Sequence, residues 1–232
     1  MTAGFDASAV LRPGLLQGVS IIVAGVPSGG LAPGELTGGA PTVGDVCTKL
    51  GATVHTCDLL AGGPPEQDDA AVEQAVAVAL RKGGGVHMLV VDAAALFLAG
   101  LVPNAQREVG LAQAGGLIDA LEASWRVTRA VANAAFIADG DDNGGGRTVY
   151  VAPPTAAGTG SRTHADATRA GLENLARTLS IEWARYGITP VSIATGPGTT
   201  AGELAGIVAY LASPAGAYFS GCQLDLRGAS AR

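Results

Sequence analysis

The chain has 232 residues, of which 48% are hydrophobic, 15% are charged and 35 are glycine. This length and composition fit one α/β domain, so we predict a single domain over residues 1–232. The net charge of -6 disfavours nucleic acid and anionic membranes as partners. The apolar runs are shorter than the roughly 20 residues of a membrane helix, and no signal-peptide pattern opens the chain, so we expect a cytoplasmic protein.

Apolar runs typical of strands alternate along the chain with apolar stripes typical of helices. This alternation predicts a parallel sheet with helices on both faces, a Rossmann-like doubly wound fold in three α/β/α layers. Six strands are predicted, over residues 19–24, 52–57, 86–92, 147–152, 188–195 and 221–226. Five helices are predicted between them, over residues 42–50, 68–82, 116–138, 164–186 and 201–213.

The two longest predicted helices carry the clearest apolar stripes. The helix over 164–186 begins after Thr163, which we expect to act as its N-cap together with Asp166. Its buried stripe is expected to consist of Leu172, Leu175 and Leu179. The helix over 116–138 carries a comparable face, formed by Leu121, Trp125, Thr128 and Ala132.

The cysteines and histidines are scattered along the chain. The cysteines match neither a zinc-site spacing nor a disulfide framework, so we interpret them as reduced thiols without a chemical role. No histidine has a second histidine or a paired carboxylate four residues on, and we therefore predict no metal site. The residues concerned are Cys47, Cys57, Cys222, His55, His87 and His164.

Five separated segments carry a family resemblance, in the order in which that family has them. They are SIIVAGVPSGG, VHMLVVDAAA, GRTVYVAP, RAGLENLARTLSIEWARYGITPVSIATGPG and VAYLASPAGAYFSGCQLDL. Together they resemble the short-chain dehydrogenase/reductase family over nearly the whole chain. The resemblance implies a doubly wound sheet that binds NAD or NADP at the carboxyl ends of its strands, with the pyrophosphate over a glycine-rich first turn.

The resemblance also places the family's four catalytic positions on this sequence. The tyrosine and lysine of the family's Tyr-x-x-x-Lys helix fall at Ala165 and Arg169. The serine falls at Ala152 or Pro153, and the asparagine falls near Ala120. Since no position holds the family's residue, we predict that the chain has no catalytic residues of the family type.

Neighbouring residues offer a second interpretation of the site. His164 is a candidate proton donor, and Ser161 or Thr155 are candidates to orient a carbonyl group. All three are predicted on a glycine-rich surface loop, where a solvated role is the simpler interpretation. The lysines of the chain, Lys49 and Lys82, are predicted on other helices, and the forked guanidinium of an arginine copies a lysine poorly.

The glycine-rich turn after the first predicted strand departs from the family pattern. Gly25 and Gly29 fit its first two glycines, while Leu31 stands where the third belongs. Glu35 lies near the expected position of the anion, where a carboxylate repels phosphate. The glycines then serve a tight turn alone. We predict that this chain binds no cofactor, and that NAD or NADP binds to an active partner subunit.

Two further departures are deletions. The family's second and third strands are condensed into ATVHTCDLL, so Asp58 matches the family's ribose-binding acid, a later aspartate near the adenine, or a simple strand-end cap. The missing strand would be an edge strand, which a sheet loses most easily. After GPGTT the chain also lacks the family's helical lid, so a substrate pocket would have no roof.

The retained patterns predict a role in assembly. In the family, the helices corresponding to 116–138 and 164–186 form a four-helix bundle between subunits, and the C-terminal strand forms a second interface. We therefore interpret the chain as a non-catalytic subunit that supports an active paralogue, in a heterotetramer. Two alternatives are an oxidoreductase with a reorganised site that uses His164 or Arg169, and a binding protein that senses a metabolite or a dinucleotide.

Overall fold

The computed structural model describes seven stretches of the chain: residues 7–26, 41–59, 65–81, 85–101, 115–137, 145–154 and 162–227. Six parallel strands form one sheet in the order β2-β1-β3-β4-β5-β6. The strands are β1 (Ser20–Gly25), β2 (Thr53–Asp58), β3 (Met88–Val91), β4 (Gly146–Ala152), β5 (Ile188–Ala194) and β6 (Cys222–Asp225). The predicted Rossmann-like α/β fold with six strands is confirmed.

Seven helices flank the sheet in the described part of the chain. They are α1 (Ala7–Val10), α2 (Val43–Lys49), α3 (Pro65–Arg81), α4 (Ala93–Gly100), α5 (Gly115–Val131), α6 (Arg162–Glu182) and α7 (Ala201–Ala212). Helices α1 and α4 were not predicted. The residues of α4 are all apolar or glycine, so no polar face marks them as helical, but Asp92 caps the helix by accepting a hydrogen bond from the Ala95 amide at 2.9 Å.

The sheet separates two apolar cores. One core lies against α3, α4, α5 and α6 and contains Phe97, Phe136 and Leu172. The other lies against α1, α2 and α7 and contains Leu16 and Met88. Every residue of β3 is buried because both faces of this central strand are covered, which explains its unbroken apolar sequence.

The helix α6 begins earlier than the sequence predicts. Because it starts at Arg162, Thr163 lies inside its first turn, and the prediction of Thr163 as the N-cap is wrong. Asp166 forms an ion pair with Arg169 instead of completing a cap. The predicted leucine stripe is found, since Leu172 and Leu179 are fully buried and Leu175 is half-buried.

In helix α5, Trp125 lies on a different face from the predicted buried face. Thr128 and Ala132 are fully buried, as predicted, but Trp125 is 37% exposed. The Trp125 ring stacks on Trp183 beyond the end of α6, with 6.2 Å between ring centroids. Trp125 therefore packs on Trp183, which itself packs against the core, rather than entering the core.

The connection from β5 to α7 contains residues 195–200 alone. Thr200 and Glu203 form a capping box at the start of α7, and hydrogen bonds from Thr200 lower the pKa of the Glu203 carboxyl. This connection has no lid helix, in agreement with the sequence. Across the described stretches, no helix has the length and apolarity that a membrane span requires.

Candidate functional site

The carboxyl ends of the parallel strands form the candidate site. Gly25, at the end of β1, pairs in register with Asp58 at the end of β2. Ala152, at the end of β4, pairs with Ala194 at the end of β5. Because open α/β sheets bind ligands outside this edge, the residues here decide which chemistry the chain can support.

Gly25 has a packing role at this edge. A Cβ atom placed on Gly25 would lie 2.9 Å from the Cβ atom of Asp92. Asp92 is buried, and its carboxylate accepts a hydrogen bond from the first turn of α4. The close approach of Asp92 therefore explains the glycine without a phosphate. Gly29, Leu31 and Glu35 lie outside the described residues.

Asp58 lies at the end of the strand that neighbours β1. Its side chain is exposed, and its position corresponds to the second strand of the usual doubly wound order. In that position an acidic side chain hydrogen-bonds the ribose of a dinucleotide. The topology thus places Asp58 beside β1, rather than on a strand further out.

Three of the family's four catalytic positions lie in the core. Ala120, Ala152 and Ala165 are each 0% exposed and belong to the same apolar cluster as Leu172. The methyl side chain of alanine has neither a proton to exchange nor an atom that accepts a hydrogen bond. The three positions therefore contribute packing to the candidate site and no acid, base or carbonyl ligand.

Arg169, at the fourth position, is bound within the protein. The residue is 7% exposed, and its Nη1 atom donates to the Pro153 carbonyl at 3.3 Å. Its Nη2 atom donates to the carboxylate of Asp166. The guanidinium therefore connects α6 to the residues that follow β4. Beside it, the Thr195 hydroxyl donates to the Ala152 carbonyl at 2.9 Å and connects the ends of β4 and β5.

A second ion pair lies at the end of β6. The Arg227 guanidinium donates to Asp225 at 2.6 Å, and its hydrogen bonds, with a smaller contribution from the charge of Arg169, lower the pKa of Asp225 to about 2. The same carboxylate raises the pKa of Arg227. Both groups stay charged near neutral pH, so neither is suited to exchange protons with a substrate.

The proposed substitutes for the catalytic tyrosine are only partly within the described structure. His164 lies in the first turn of α6 and is half-buried, so the prediction of a surface loop is wrong for this residue. Its Nδ1 atom is buried and has no hydrogen-bond partner in the described ranges. Ser161 and Thr155 lie outside the described residues, as does Lys82, while Lys49 is in the last turn of α2.

Of the described residues at this edge, those that match a nicotinamide dinucleotide, which the resemblance implies, lie at its adenosine end. Asp58 has the position and charge to accept hydrogen bonds from a ribose. At the nicotinamide end, Ala165 has no hydroxyl group, and the guanidinium of Arg169 is already hydrogen-bonded to Pro153 and Asp166. The residues at that end do not fit the family's use of the cofactor, and no catalytic step through it follows from them.

The opposite edge of the sheet, at the amino ends of the strands, holds a cleft of about 560 Å³. We call this edge the amino edge. The Nδ1 atom of His87 accepts a hydrogen bond from the Ser20 amide at 3.1 Å, and Arg147 donates to the Ser213 carbonyl at 2.5 Å. Burial and the charge of Arg147 lower the pKa of His87. These hydrogen bonds satisfy the Ser20 amide at the start of β1 and the Ser213 carbonyl at the end of α7. Both basic residues therefore have a structural role.

The three cysteines are free thiols. Burial raises the pKa of both Cys47 and Cys57 to about 12, with the charges of Asp58 and Asp68 adding to the shift of Cys57. A protonated, buried thiol is neither a nucleophile nor a metal ligand. Within the stretches that the structure describes, no three His, Cys, Asp or Glu side chains are grouped as a metal site would require.

The fold is similar to those of several solved dehydrogenases. No protein-family model matches the sequence, and no curated protein matches it. A citronellol catabolism dehydrogenase from Pseudomonas aeruginosa has a TM-score of 0.66 and 25% identity, over 96% of this chain and 99% of that chain. A short-chain dehydrogenase from Mycobacterium smegmatis has a TM-score of 0.65 and 23% identity, over 95% of this chain and 98% of that chain.

A short-chain dehydrogenase/reductase from Serratia marcescens gives a comparable result. Its TM-score is 0.63 at 22% identity, over 92% of this chain and 97% of that chain. In each of these comparisons nearly the full length of both proteins is covered. The chain therefore has the fold of these dehydrogenases.

Proposed function

We propose that this chain is a non-catalytic subunit that assembles with an active NAD(P)-dependent short-chain dehydrogenase/reductase and supports it. The observation that carries the proposal is the state of the four catalytic positions. Three hold fully buried alanines, and the fourth holds Arg169, whose guanidinium is bound to Pro153 and Asp166. NAD or NADP then binds to the active subunit, and the assembly is a cytoplasmic heterotetramer.

The outer face of α5 and α6 supports the assembly role. Ile118 is 47% exposed, Trp125 37% and Ile181 75%. Large apolar side chains at this exposure are typical of interface centres, and tryptophan is among the residues that contribute most to binding. Trp183, which stacks on Trp125, holds that ring in place for a partner. We assign this face to the contact with the active paralogue.

The second proposed interface lies beyond α7. Tyr210 is 39% exposed and packs edge-on against Phe219, with 5.9 Å between ring centroids, and Tyr218 is 92% exposed. The adjacent strand β6 pairs with β5 on one side. Exposed aromatic side chains beside an edge strand suit a subunit contact, and two different contacts per chain allow a closed tetramer.

Co-expression with a paralogue that has the complete Tyr-x-x-x-Lys motif tests the proposal. We expect this chain to co-purify with the paralogue, to lack dehydrogenase activity alone, and to increase the activity or thermal stability of the paralogue. Ile181→Arg should abolish co-purification. Val10→Arg changes an aliphatic residue that is 70% exposed on α1, and should leave co-purification intact. Purification from the native source without any dehydrogenase would contradict the proposal.

A second candidate function, a nucleotide-sensing binding protein, is favoured by Asp58 alone. Calorimetric titration with NADH, NADPH and ADP tests it on the isolated chain. Binding that Asp58→Asn weakens at least about tenfold would favour this candidate, since the substitution removes the charge that accepts the ribose hydrogen bonds. The absence of binding at millimolar nucleotide would exclude it and leave the assembly role unaffected.

A further inference from the structure

The outer edge of β2 is a surface that the proposed function does not use. In the described residues β2 pairs with β1 alone. The Thr53 amide donates to the Val19 carbonyl at 2.8 Å, and the Leu59 amide donates to the Gly25 carbonyl at 2.7 Å. Since successive residues of a strand direct their backbone groups to opposite sides, the amides and carbonyls of the alternate residues face outward. These residues are Val54, Thr56 and Asp58.

A cleft of about 400 Å³ follows this edge, between β2 and α3. Its helical wall is formed by Ala71, Gln74, Ala75 and Val78. Helices that pack side by side on a sheet lie about 10 Å apart, which is roughly twice the spacing of about 4.8 Å between strands. The cleft therefore lies where a neighbouring helix would pack if the sheet continued past β2.

The two ends of this edge carry opposite charges. At the carboxyl end of β2 lie Asp58 and Glu66, the latter in the first turn of α3; Asp68 in the same turn is buried and ion-paired with Arg126. At the amino end, α2 and α3 finish in Lys49 and Arg81. Antiparallel pairing with an identical edge brings each acidic end to a basic end, which favours a second copy of the chain over a partner of uniform charge.

The edge also lacks the usual protections against pairing. Isolated edge strands are commonly guarded by a lysine, a proline or a bulge. The sequence of β2, TVHTCD, contains neither residue, and its register with β1 runs unbroken from Thr53 to Asp58. Its one carboxylate, Asp58, is the last residue of the strand, so over Thr53–Cys57 the strand has none of these protections.

From these observations we propose that two copies of the chain pair through β2, antiparallel, about a two-fold axis at Thr56. Val54 then pairs with Asp58 of the second copy, and Thr56 pairs with its own equivalent. The two six-stranded sheets become one continuous sheet, and the two α3 helices lie side by side on one face. Each helix fills the cleft beside the other, with Arg81 near Glu66 of the second copy. This inference is independent of the proposed function.

Amide hydrogen exchange on the full chain, measured by NMR at increasing protein concentration, provides the most direct test. The amides of Val54, Thr56 and Asp58 should exchange more slowly as concentration rises, because pairing gives them carbonyl acceptors. The amides of Thr53, His55 and Cys57 already face β1 and are internal controls that should change little. Protection of residues 54–58 that arises only when another protein is added would overturn the proposal.

Substitutions at Thr56 provide the second test, read by sedimentation equilibrium. Thr56→Pro removes an outward amide and leaves the hydrogen bonds to β1 intact, so we expect dimer affinity to fall about tenfold or more. Thr56→Val keeps the amide and should dimerise like the wild type. Thr56→Lys places two like charges opposite each other at the axis, and its weakened association should partly recover at high salt.

Three outcomes would overturn the paired-edge proposal. The first is a wild-type chain that stays monomeric at about 100 μM, a concentration at which dimers with the micromolar affinity of an ordinary weak interface would form. The second is undiminished association of both Thr56→Pro and Thr56→Lys. The third is loss of the dimer in Ile181→Arg. The last variant alters α6, so its effect would assign the dimer to the helical face instead. Circular dichroism of each variant verifies that the chain remains folded.

Discussion

Helix α6 contributes to two regions of the molecule, the carboxyl edge of the sheet and the packed contact between α5 and α6. Its residues have different roles in the two. At the edge, the first turns of α6 contribute Ala165, which is buried in the core, and Arg169, which binds other residues of the chain. Two residues after Arg169, Gly171 allows α5 to approach closely, since a Cβ atom placed on it would lie 2.9 Å from a methyl group of Leu121.

This difference separates the requirements of the fold from those of the chemistry. The leucines of α6 and the small residues along its contact with α5 bury apolar area, which folding requires whatever the protein does. At the edge, the described residues Arg169, Pro153 and Asp166 satisfy one another by hydrogen bonds. The fold can therefore be retained under our proposal whether or not a reaction takes place at this edge, because function depends on sites rather than on folds.

The largest expected effect comes from the packed side. Leu172→Ala removes a fully buried side chain from the core between the sheet and α6, and we expect the free energy of unfolding to fall by about 2–5 kcal/mol. Urea denaturation followed by circular dichroism measures the change. Leu80→Ala truncates a leucine that is 43% exposed on α3, and should cost much less. Equal losses in the two variants would contradict the burial of Leu172.

Restoring the family's tyrosine tests the carboxyl edge. Because Ala165 is 0% exposed, Ala165→Tyr inserts a ring into filled space, and we expect a loss of about 1–3 kcal/mol of unfolding free energy. Together with Arg169→Lys it should still give no dehydrogenase activity. Ala167→Tyr, at an exposed position two residues along the helix, is the matched control and should be nearly neutral. Activity in the double variant would show that the edge had kept a working site.

The fold was predictable from the sequence because its signals are local. The central strands β1 and β3 are apolar runs, and each predicted helix has a stripe or a cap, so the predicted bounds lie close to the observed ones. The exceptions have physical causes. Helix α4 is apolar on all sides, and Trp125 has a hydrophobic side chain that lies outside the core because Trp183 provides a second ring to stack on.

The candidate site was less predictable, because its contacts join distant parts of the chain. The sequence identifies the residues at the catalytic positions but does not reveal that Arg169 donates to the Pro153 carbonyl. His164 was predicted on a loop because glycines precede it, yet α6 begins two residues earlier. The place of Asp58 beside β1 follows from strand order, which the sequence alone left open.

Two of the three arginines of α6, Arg169 and Arg177, provide a smaller test of the same contrast. Arg169→Met keeps an apolar stem but removes the hydrogen bonds to Pro153 and Asp166, and we expect a loss of about 1 kcal/mol. Arg177→Met removes an ion pair with Glu173 on the surface, and about 0.3–0.5 kcal/mol is expected there. Chemical denaturation at low and high salt measures both. The contribution of Arg177 to the unfolding free energy should disappear at high salt. A contribution of Arg169 that also fell with salt would contradict the burial of its guanidinium.

The smallest expected effect lies at the amino edge and depends on pH. The Nδ1 atom of His87 accepts the Ser20 amide, so the fold requires the unprotonated ring, and burial and Arg147 lower the pKa of His87 below its ordinary value of 6.5. A folded-state pKa below the unfolded one means that the histidine stabilises the fold above pH 6.5. That contribution is lost as the pH falls through the lowered pKa.

We therefore expect the unfolding free energy of the wild type to decrease between pH 7 and pH 5 more steeply than that of His87→Asn. Asparagine presents an oxygen near the position of Nδ1 and does not titrate, so the difference between the two profiles isolates His87. The other histidines, His55 and His164, are present in both proteins and cancel in the comparison. Parallel profiles would mean that protonation of His87 does not change the stability gained from its hydrogen bond with the Ser20 amide. The hydrogen bonds of Arg147 would then be the ones that stabilise the amino edge.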